Sequence, residues 1–434
     1  QNLNFIFTSN EKMIMPSGSP VSRRERMPPP MTTSLEIPTI SLEPSPGRNR
    51  ADISLAIAAA CINPGFFQVT SHSLSNDLLR DFRAAMEQFF SLEDPVKSAI
   101  RRHSRNARGY FDNELTKRRV DWKECLDVGA VPRRRSLLAR EDGGEVDVAD
   151  TVCLDGINQW PDAAPGFREV VDRYFGACAE LSDDLATHMV EGLRLHVRAK
   201  IGTDHDGGGE CGVQDGSGNG GGPDERSCNF LKRLRENHSS YLRMNHYPPC
   251  PPGADPGTLG ISPHTDAGFL TILLQDDRCH SLQVPMGPIG SDLEAEGAWT
   301  TVVPTPGALT INTGDMAQVF SGGIFRAPPH RVLTNGTFDR YSAPFFYNPP
   351  YDEMVAVSHV AAGAEQRMYH PILWGYFRAV RFAGDLTDWG VDEIQVDHFH
   401  TAEEKKDGGR KVEDRLGDGR HVVRQKTFRE RAKF

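Results

Sequence analysis

The sequence predicts a mainly β protein with flanking α-helices, in which an antiparallel barrel or jelly roll forms the core. Between residues 239 and 350, short apolar runs are separated by Gly, Pro, Asn and Asp, as is typical of strands joined by turns. A long amphipathic helix is predicted to start at Pro165, and a shorter helix is predicted around residues 372–382. Helices on both sides of a strand-rich segment indicate a sheet core covered by helices.

The composition is that of an ordinary globular protein and argues against nucleic-acid and membrane partners. It has 434 residues, a formal net charge of −10 and 38% hydrophobic residues. The negative charge argues against nucleic-acid binding by phosphate neutralisation, and no apolar run is long enough to cross a bilayer. None of the eight cysteines forms a C-x-x-C pair, so free thiols are expected. We therefore expect a cytoplasmic monomer that acts on a small molecule, without nucleic-acid or membrane partners.

The N-terminal part divides into a leader and a mixed α/β region. Residues 1–35 are rich in Ser, Pro, Arg and Met and are predicted to be a disordered leader. In the region 36–160, apolar alternation and helical spacing predict several elements. These are strands at residues 37–42 and 65–69, a small helix at residues 55–60, a helix capped by Ser75 and a strand-like run from Asp121 to about Val128.

Periodicity and composition also predict the organisation of residues 161–434. The region 161–201 is predicted to be one spine helix against which a sheet packs, and 202–227 is predicted to be a glycine-rich surface insertion. Cys211 and Cys228 flank that insertion and could pair only under oxidising conditions. The strand-rich core spans 237–351. A helical region at 352–400 follows, and the charged tail 401–434 is predicted to be a solvated helix or disordered.

His264, Asp266 and His330 form a candidate metal site. Residues i and i+2 of a strand point to the same side, so His264 and Asp266 project together near the end of a predicted strand. His330 comes from a distant strand and follows Pro328-Pro329. Two imidazoles and one carboxylate that leave coordination positions open are the ligand set of non-haem Fe(II) oxygenases. An H-x-D tripeptide alone is weak, and zinc remains an alternative, although the helical H-E-x-x-H of zinc hydrolases is absent.

Arg340 and Ser342 form a candidate carboxylate clamp ten residues after His330. The planar guanidinium matches a carboxylate bidentately, and the hydroxyl lies on the same strand face. An apolar run follows at once, so the strand is expected to be buried, and a buried arginine needs a partner such as a bound dicarboxylate. Alternation also places Asn245 and Tyr247 on one face with Arg243. Their alternative role is ordinary sheet packing.

These motifs resemble the 2-oxoglutarate- and Fe(II)-dependent dioxygenases related to isopenicillin N synthase, over about residues 36–400. The resemblance implies a double-stranded β-helix and assigns His264, Asp266 and His330 as iron ligands. It also implies that Arg340 and Ser342 bind the distal carboxylate of 2-oxoglutarate, with Tyr247 and Asn245 assisting. The matching segments are Asn245-His246-Tyr247-Pro248-Pro249, His264-Thr265-Asp266-Ala267-Gly268-Phe269-Leu270-Thr271, Gln275-Asp276, Ile311-Asn312-Thr313-Gly314-Asp315, His330-Arg331-Val332, Arg340-Tyr341-Ser342, Ile37-Pro38, Gly65-Phe66-Phe67-Gln68-Val69, His72, Gly109-Tyr110 and Asp121-Trp122-Lys123-Glu124.

The implied activity is hydroxylation or desaturation of a small organic metabolite, with release of succinate and CO2. The cofactors would be Fe(II), 2-oxoglutarate as cosubstrate and O2, with ascorbate as an accessory reductant. Two alternatives stay open: an oxidase of the same fold that does not use 2-oxoglutarate, and a non-catalytic barrel that binds a small molecule. We expect the pocket to be lined by strand faces around Arg243, Phe269 and Phe346, by the loops near Gly109-Tyr110 and by the C-terminal helix, and Arg243 suggests an anionic or polar substrate.

Overall fold

The structure is a computed structural model that describes residues 37–116, 118–130, 153–201, 225–255, 257–285, 298–361, 369–386, 393–401 and 420–432. The predicted leader, most of the glycine-rich insertion and Cys211 lie outside these residues. The described strands are β1 (Thr39–Ser41), β2 (Phe66–Thr70), β3 (Gly109–Phe111), β4 (Leu115–Thr116), β5 (Arg119–Val120), β6 (Glu124–Gly129), β7 (Tyr241–Tyr247), β8 (Leu259–His264), β9 (Leu270–Leu274), β10 (Leu282–Pro285), β11 (Trp299–Thr301), β12 (Leu309–Thr313), β13 (His330–Leu333), β14 (Arg340–Tyr347), β15 (Met354–Val355) and β16 (Ile372–Leu373).

Two sheets form the core and confirm the predicted mainly β, jelly-roll class. The larger sheet has eight strands in the order β1-β2-β12-β9-β14-β7-β6-β3, and the smaller has four in the order β11-β10-β13-β8. Neighbouring core strands are antiparallel, and only the edge pair β1–β2 is parallel among the strands described. Chain-adjacent strands such as β8 and β9 lie in different sheets, as in a double-stranded β-helix.

Helices cover the outer face of the larger sheet. The described helices are α1 (Arg50–Ile62), α2 (Asn76–Phe90), α3 (Asp94–Ser98), α4 (Phe167–Ile201), α5 (Glu225–Asn237), α6 (Asp315–Phe320), α7 (Trp374–Leu386), the 3-10 turn Val396–Phe399 and α8 (Arg420–Ala432). Helix α2 confirms the predicted cap, because Ser75 Oγ accepts the Leu78 N–H at its first turn. Helix α4 is the predicted spine: it packs on α1, α2 and the sheet, and Tyr174 stacks on Phe82 at 3.7 Å between ring centroids.

Strand alternation separates an outer apolar core from an inner polar surface. On β14, Ala343 and Phe345 point to the helices and join the main core, whereas Arg340 and Ser342 line a cavity between the sheets. A second apolar cluster joins the two sheets, and most of its members line that cavity. Its buried members are Phe66, Tyr247, Leu273, Leu282, Val284, Val302 and Val332.

Two expectations about secondary structure were wrong, and a third, the solvated helix of the charged tail, was right about the helix but not about its exposure. Helix α5 begins at Glu225, inside the predicted insertion 202–227, and its apolar residues pack on the core through Phe230 and Leu234. Helix α6 interrupts the segment that was expected to contain only strands. In the tail, α8 is not simply solvated, because Phe428 is buried in the core. Gln425 also donates to the Pro371 carbonyl and accepts the Leu373 N–H.

A search of the described helices found none that is long and apolar enough to cross a membrane.

Candidate metal and cosubstrate site

The structure brings His264, Asp266 and His330 together, although they come from separate parts of the chain. His264 is the last residue of β8 and pairs directly with His330, the first residue of β13. Asp266 Oδ1 lies 3.7 Å from Nε2 of each histidine, and the three ligand atoms lie within 4.8 Å of one another. Asp266 lies beyond the end of β8, so strand alternation does not place it. Three converging donors of this kind fit a divalent metal ion.

Hydrogen bonds orient both imidazoles toward the centre of this triad. Nδ1 of His264 lies 2.9 Å from the carbonyl oxygen of Ser262, and Nδ1 of His330 lies 3.4 Å from that of Pro328. A carbonyl oxygen only accepts, so each Nδ1 carries the proton and each Nε2 keeps its lone pair. Burial, followed by the neighbouring His330, lowers the pKa of His264 to about 3. The imidazole is therefore neutral and able to bind a metal at physiological pH.

The Asp266 carboxylate has one restrained oxygen and one directed at the histidines. Its Oδ2 accepts from Thr271 Oγ1 at 2.6 Å and from Asn312 Nδ2 at 2.8 Å. Burial alone would raise the pKa of Asp266, but His330, His264 and these two donors outweigh it and lower that pKa. The carboxylate is thus ionised with Oδ1 available as a single ligand oxygen.

Backbone contacts to the start of α6 hold the segment 265–269 in place. The Asp315 N–H donates to the Asp266 carbonyl at 2.7 Å, and the Gly314 N–H donates to the Phe269 carbonyl at 3.0 Å. A Cβ atom on Gly314 would collide with the Gly268 carbonyl, so this close approach requires glycine. The motif from Asn312 to Asp315 therefore supports the metal segment through both backbone and side chain.

Arg340 lies in the same cavity with unused hydrogen-bonding capacity. Arg340 is only 1% exposed. Its Nε and Nη1 atoms have no hydrogen-bond partner among the described residues. The guanidinium carbon lies 4.7 Å from the centroid of the Tyr247 ring. A buried guanidinium with free N–H groups is costly unless an anion binds it. This observation fits a cosubstrate carboxylate.

The neighbouring polar residues of the predicted clamp lie on paired strands. Arg340 pairs with Tyr247, and Ser342 pairs with Asn245, between β14 and β7. Asn245 Nδ2 donates to Ser342 Oγ at 3.4 Å, while Cys125 Sγ lies 3.2 Å from Asn245 Oδ1. All four clamp residues line the cavity that contains the triad.

The cavity has a volume of about 120 Å³ and extends from the triad to Arg340. Its other end is walled by aromatic and charged side chains, several of them from α7. They are Tyr241, Phe346, Trp374, Arg378, Arg381, Asp385 and Glu393. Helix α7 confirms the expected contribution of the C-terminal helix to the pocket. The sequence did not single out its individual residues, because they lie far from the motifs along the chain.

Two expectations about the pocket require correction. Arg243 lines the cavity, but its guanidinium donates to Asp127 and Glu114 at 2.7–2.9 Å, so it is not free to meet an anionic substrate. Phe269 lies in the core, 5.3 Å from the Phe230 ring. Phe269 is not among the described residues that line the cavity, whereas Phe346 lines it as expected, and Glu114 and Thr116 confirm the expected contribution of the loop near Gly109-Tyr110.

Comparison with protein families places this site in a known context. Residues 238–349 match the 2OG-Fe(II) oxygenase superfamily, and residues 37–163 match the family described as non-haem dioxygenase in morphine synthesis N-terminal. The first match contains the triad and the clamp. The second covers the N-terminal region that packs beside the core.

Curated relatives and solved structures agree with these matches. Jasmonate-induced oxygenase 2 of Arabidopsis thaliana is 27% identical over 365 residues, which are 83% of this chain and 82% of the relative. Homoarginine-6-hydroxylase 2-ODD-C23 of Glycine max is 28% identical over 303 residues, which are 68% and 77% of the two chains. The crystal structure of a dioxygenase for auxin oxidation in rice has a TM-score of 0.53 at 23% identity, covering 80% of this chain and 96% of that one. A fold with two sheets, a convergent His-Asp-His triad and both family matches lead to one conclusion: the chain belongs to the 2-oxoglutarate- and Fe(II)-dependent oxygenase superfamily.

Proposed function

We propose that this protein oxidises a small organic molecule in the cavity, using Fe(II), O2 and 2-oxoglutarate and releasing succinate and CO2. His264, Asp266 and His330 would hold the iron. Arg340 and Ser342 would hold the distal carboxylate of 2-oxoglutarate. The proposal depends above all on the buried guanidinium of Arg340, which lies in the same cavity as the triad and whose Nε and Nη1 have no hydrogen-bond partner among the described residues.

The chain's own residues supply position and electrostatics. When bound, the iron supplies the redox chemistry that couples O2 to decarboxylation of the cosubstrate and to oxidation of a C–H bond. Asp266 presents one oxygen because Thr271 and Asn312 restrain the other. The imidazoles stay neutral through their Nδ1 hydrogen bonds. The second apolar cluster lines the cavity through Phe66, Leu273, Leu282 and Val332 and makes that part of its surface apolar.

Tyr247 and Asn245 would assist cosubstrate binding by positioning Arg340 and Ser342. The Tyr247 ring packs beside the guanidinium of Arg340 and fixes its plane. Asn245 donates to Ser342 Oγ, which leaves the hydroxyl proton free to donate to a carboxylate. Both residues therefore act on the clamp as well as on the space that the cosubstrate would fill.

The side chains at the end of the cavity formed in part by α7 suit a substrate with an unsaturated or apolar body and a polar group. Tyr241, Phe346 and Trp374 offer ring surfaces, and Arg378 and Asp385, which pair with each other at 3.5 Å, offer polar atoms. Relatives are named for gibberellin oxidation, flavonoid demethylation and homoarginine hydroxylation. A first substrate panel should contain carboxylated terpenoids, flavonoids and basic amino acids.

The test is succinate formation by the purified protein with Fe(II), ascorbate and 2-oxoglutarate, measured for each compound of the panel. We expect at least one compound to raise succinate above the uncoupled level, and His264→Ala to abolish it. Substrate oxidation without succinate would instead identify an oxidase that does not use 2-oxoglutarate. Tight binding of a panel compound by a protein that holds no iron after anaerobic purification would favour a non-catalytic binding barrel.

A further inference from the structure

Arg381 of α7 connects the cavity wall to the segment that carries two of the triad residues. Its Nη1 donates to the carbonyl oxygen of Thr265 at 3.2 Å, and its Nη2 donates to Asp315 Oδ2 at 2.8 Å. Thr265 is the single residue between His264 and Asp266. One guanidinium therefore holds the backbone between two candidate metal ligands.

Asp315, which accepts from Arg381, also contacts the ligand segment directly. Its Oδ2 also accepts from Thr265 Oγ1 at 3.3 Å, and its backbone N–H donates to the Asp266 carbonyl at 2.7 Å. Arg381, Asp315 and Thr265 thus form a closed set of hydrogen bonds around the ligand segment, which we call the brace. The Arg381 and Asp315 side chains are 5% and 3% exposed, so water screens their attraction only weakly.

The ligand segment needs such support because no strand ladder holds it. Strand β8 ends at His264 and β9 begins at Leu270. Between them, Asp266 has side-chain contacts to Thr271 and Asn312, but these restrain the carboxylate rather than the backbone. The backbone positions of Thr265 and Asp266 depend on Arg381 and on the start of α6.

We propose that Arg381 is a positioning residue for the metal site: by bridging the Thr265 carbonyl and Asp315, it keeps His264 and Asp266 at the spacing that binds a divalent ion. This positioning role rests on the proposed function only in identifying the bound divalent ion as Fe(II). Because the same arginine also pairs with Glu393 at 2.9 Å, the brace extends to the wall of the cavity where a substrate would lie.

The test measures metal binding directly, with Co(II) alone as the probe and its visible absorption as the signal. Arg381→Met removes both donors and keeps the length of the side chain. We expect the dissociation constant for Co(II) to rise about 10-fold, since loss of an outer contact to metal ligands typically costs 10- to 100-fold. The Co(II) absorption bands should also shift, because the spacing of the ligands changes. Arg381→Lys keeps the charge but lacks the planar fork and should lose less affinity.

Lys97→Met is the matched control. Lys97 has a side chain that is 6% exposed and pairs with Glu124 at 2.8 Å and with Asp94 at 3.2 Å. In the part of the chain that the structure describes, it forms no hydrogen bond or ion pair with residues 264–266. The Co(II) affinity of the Lys97→Met variant should stay within about twofold of that of the unaltered protein. If Arg381→Met proves insoluble, Arg381→Lys decides the question against the same control.

The outcomes separate this inference from the proposed function. Unchanged Co(II) affinity and bands in the Arg381 variants, or an equal loss in Lys97→Met, would overturn the positioning role even if the unaltered protein forms succinate. Failure of the unaltered protein to bind Co(II) would overturn both. Weaker Co(II) binding in the Arg381 variants alone supports the brace whichever cosubstrate the protein uses.

Discussion

Replacing Arg340 by methionine should change ligand-free stability and cosubstrate binding in opposite directions. Nε and Nη1 of Arg340 are buried without hydrogen-bond partners among the described residues, and each group left unsatisfied costs about 1–3 kcal/mol. Methionine fills similar space beside Tyr247 without that cost. We therefore expect the free energy of unfolding without ligand to stay constant or to rise by about 1 kcal/mol.

The cosubstrate should behave in the opposite way. Removing one partner of a buried, bidentate ion pair costs about 3–5 kcal/mol, so 2-oxoglutarate should bind at least roughly 100-fold more weakly. A ligand at 100 times its dissociation constant stabilises a protein by about 2.7 kcal/mol. At that same concentration, a 100-fold weaker ligand stabilises the variant by only about 0.4 kcal/mol.

Chemical denaturation with and without 2-oxoglutarate, in the presence of Mn(II) in place of iron, measures both quantities. Arg80→Met is the control, because Arg80 has a side chain that is 68% exposed and pairs at the surface with Asp77 and Asp81. The control should keep the full stabilisation by 2-oxoglutarate. The reasoning would be refuted if Arg340→Met lost more than about 2 kcal/mol without ligand while retaining the shift caused by 2-oxoglutarate.

Three further predictions concern the metal ligand, the fold and the tail. Asn312→Ala removes a donor to Asp266 and should weaken Co(II) binding about 10-fold or more in a titration; an unchanged affinity would contradict this role. Arg243 and other cations lower the pKa of Glu114 below its usual 4.5 although burial opposes this, so unfolding free energy should fall as the pH drops below about 4.5, and Glu114→Gln should flatten that dependence in denaturation curves. Phe428→Ala should cost about 3 kcal/mol and reduce the protection of α8 amides from hydrogen exchange roughly 100-fold, whereas unchanged protection would show that α8 is held by other contacts.

Local elements were largely predictable because their signals lie within one segment. The recurrence of Leu78, Phe82, Met86 and Phe89, together with the cap at Ser75, was sufficient to predict α2. The long apolar face that begins near Phe167 was sufficient for α4. Helix α5 was missed because Glu225 directly follows a glycine-rich stretch, whose composition dominated the interpretation.

The site was predictable in its residue types but not in its supports. Strand alternation was the wrong reason for placing Asp266, because that residue follows the strand and is positioned by contacts to Asp315 from a distant segment. Arg243 looked free in the sequence, yet Glu114 and Asp127 neutralise it. The two Arg243 pairs join residues more than a hundred positions apart, and the contact between Asp266 and Asp315 also joins separate segments, so local patterns do not reveal them.

By itself, the sequence determined the ligand chemistry and the class of fold. Two histidines, one aspartate, and an arginine and serine on one strand carry their chemistry in any conformation that brings them together. Only the tertiary structure decided which groups are free and which are neutralised. It left Arg340 unpartnered in the cavity among the described residues, paired Arg243 with two carboxylates, and brought Arg381 from α7 onto Thr265. The reason is physical: the cost of burying a charge depends on the atoms around it, and those atoms come from elements far apart in the chain.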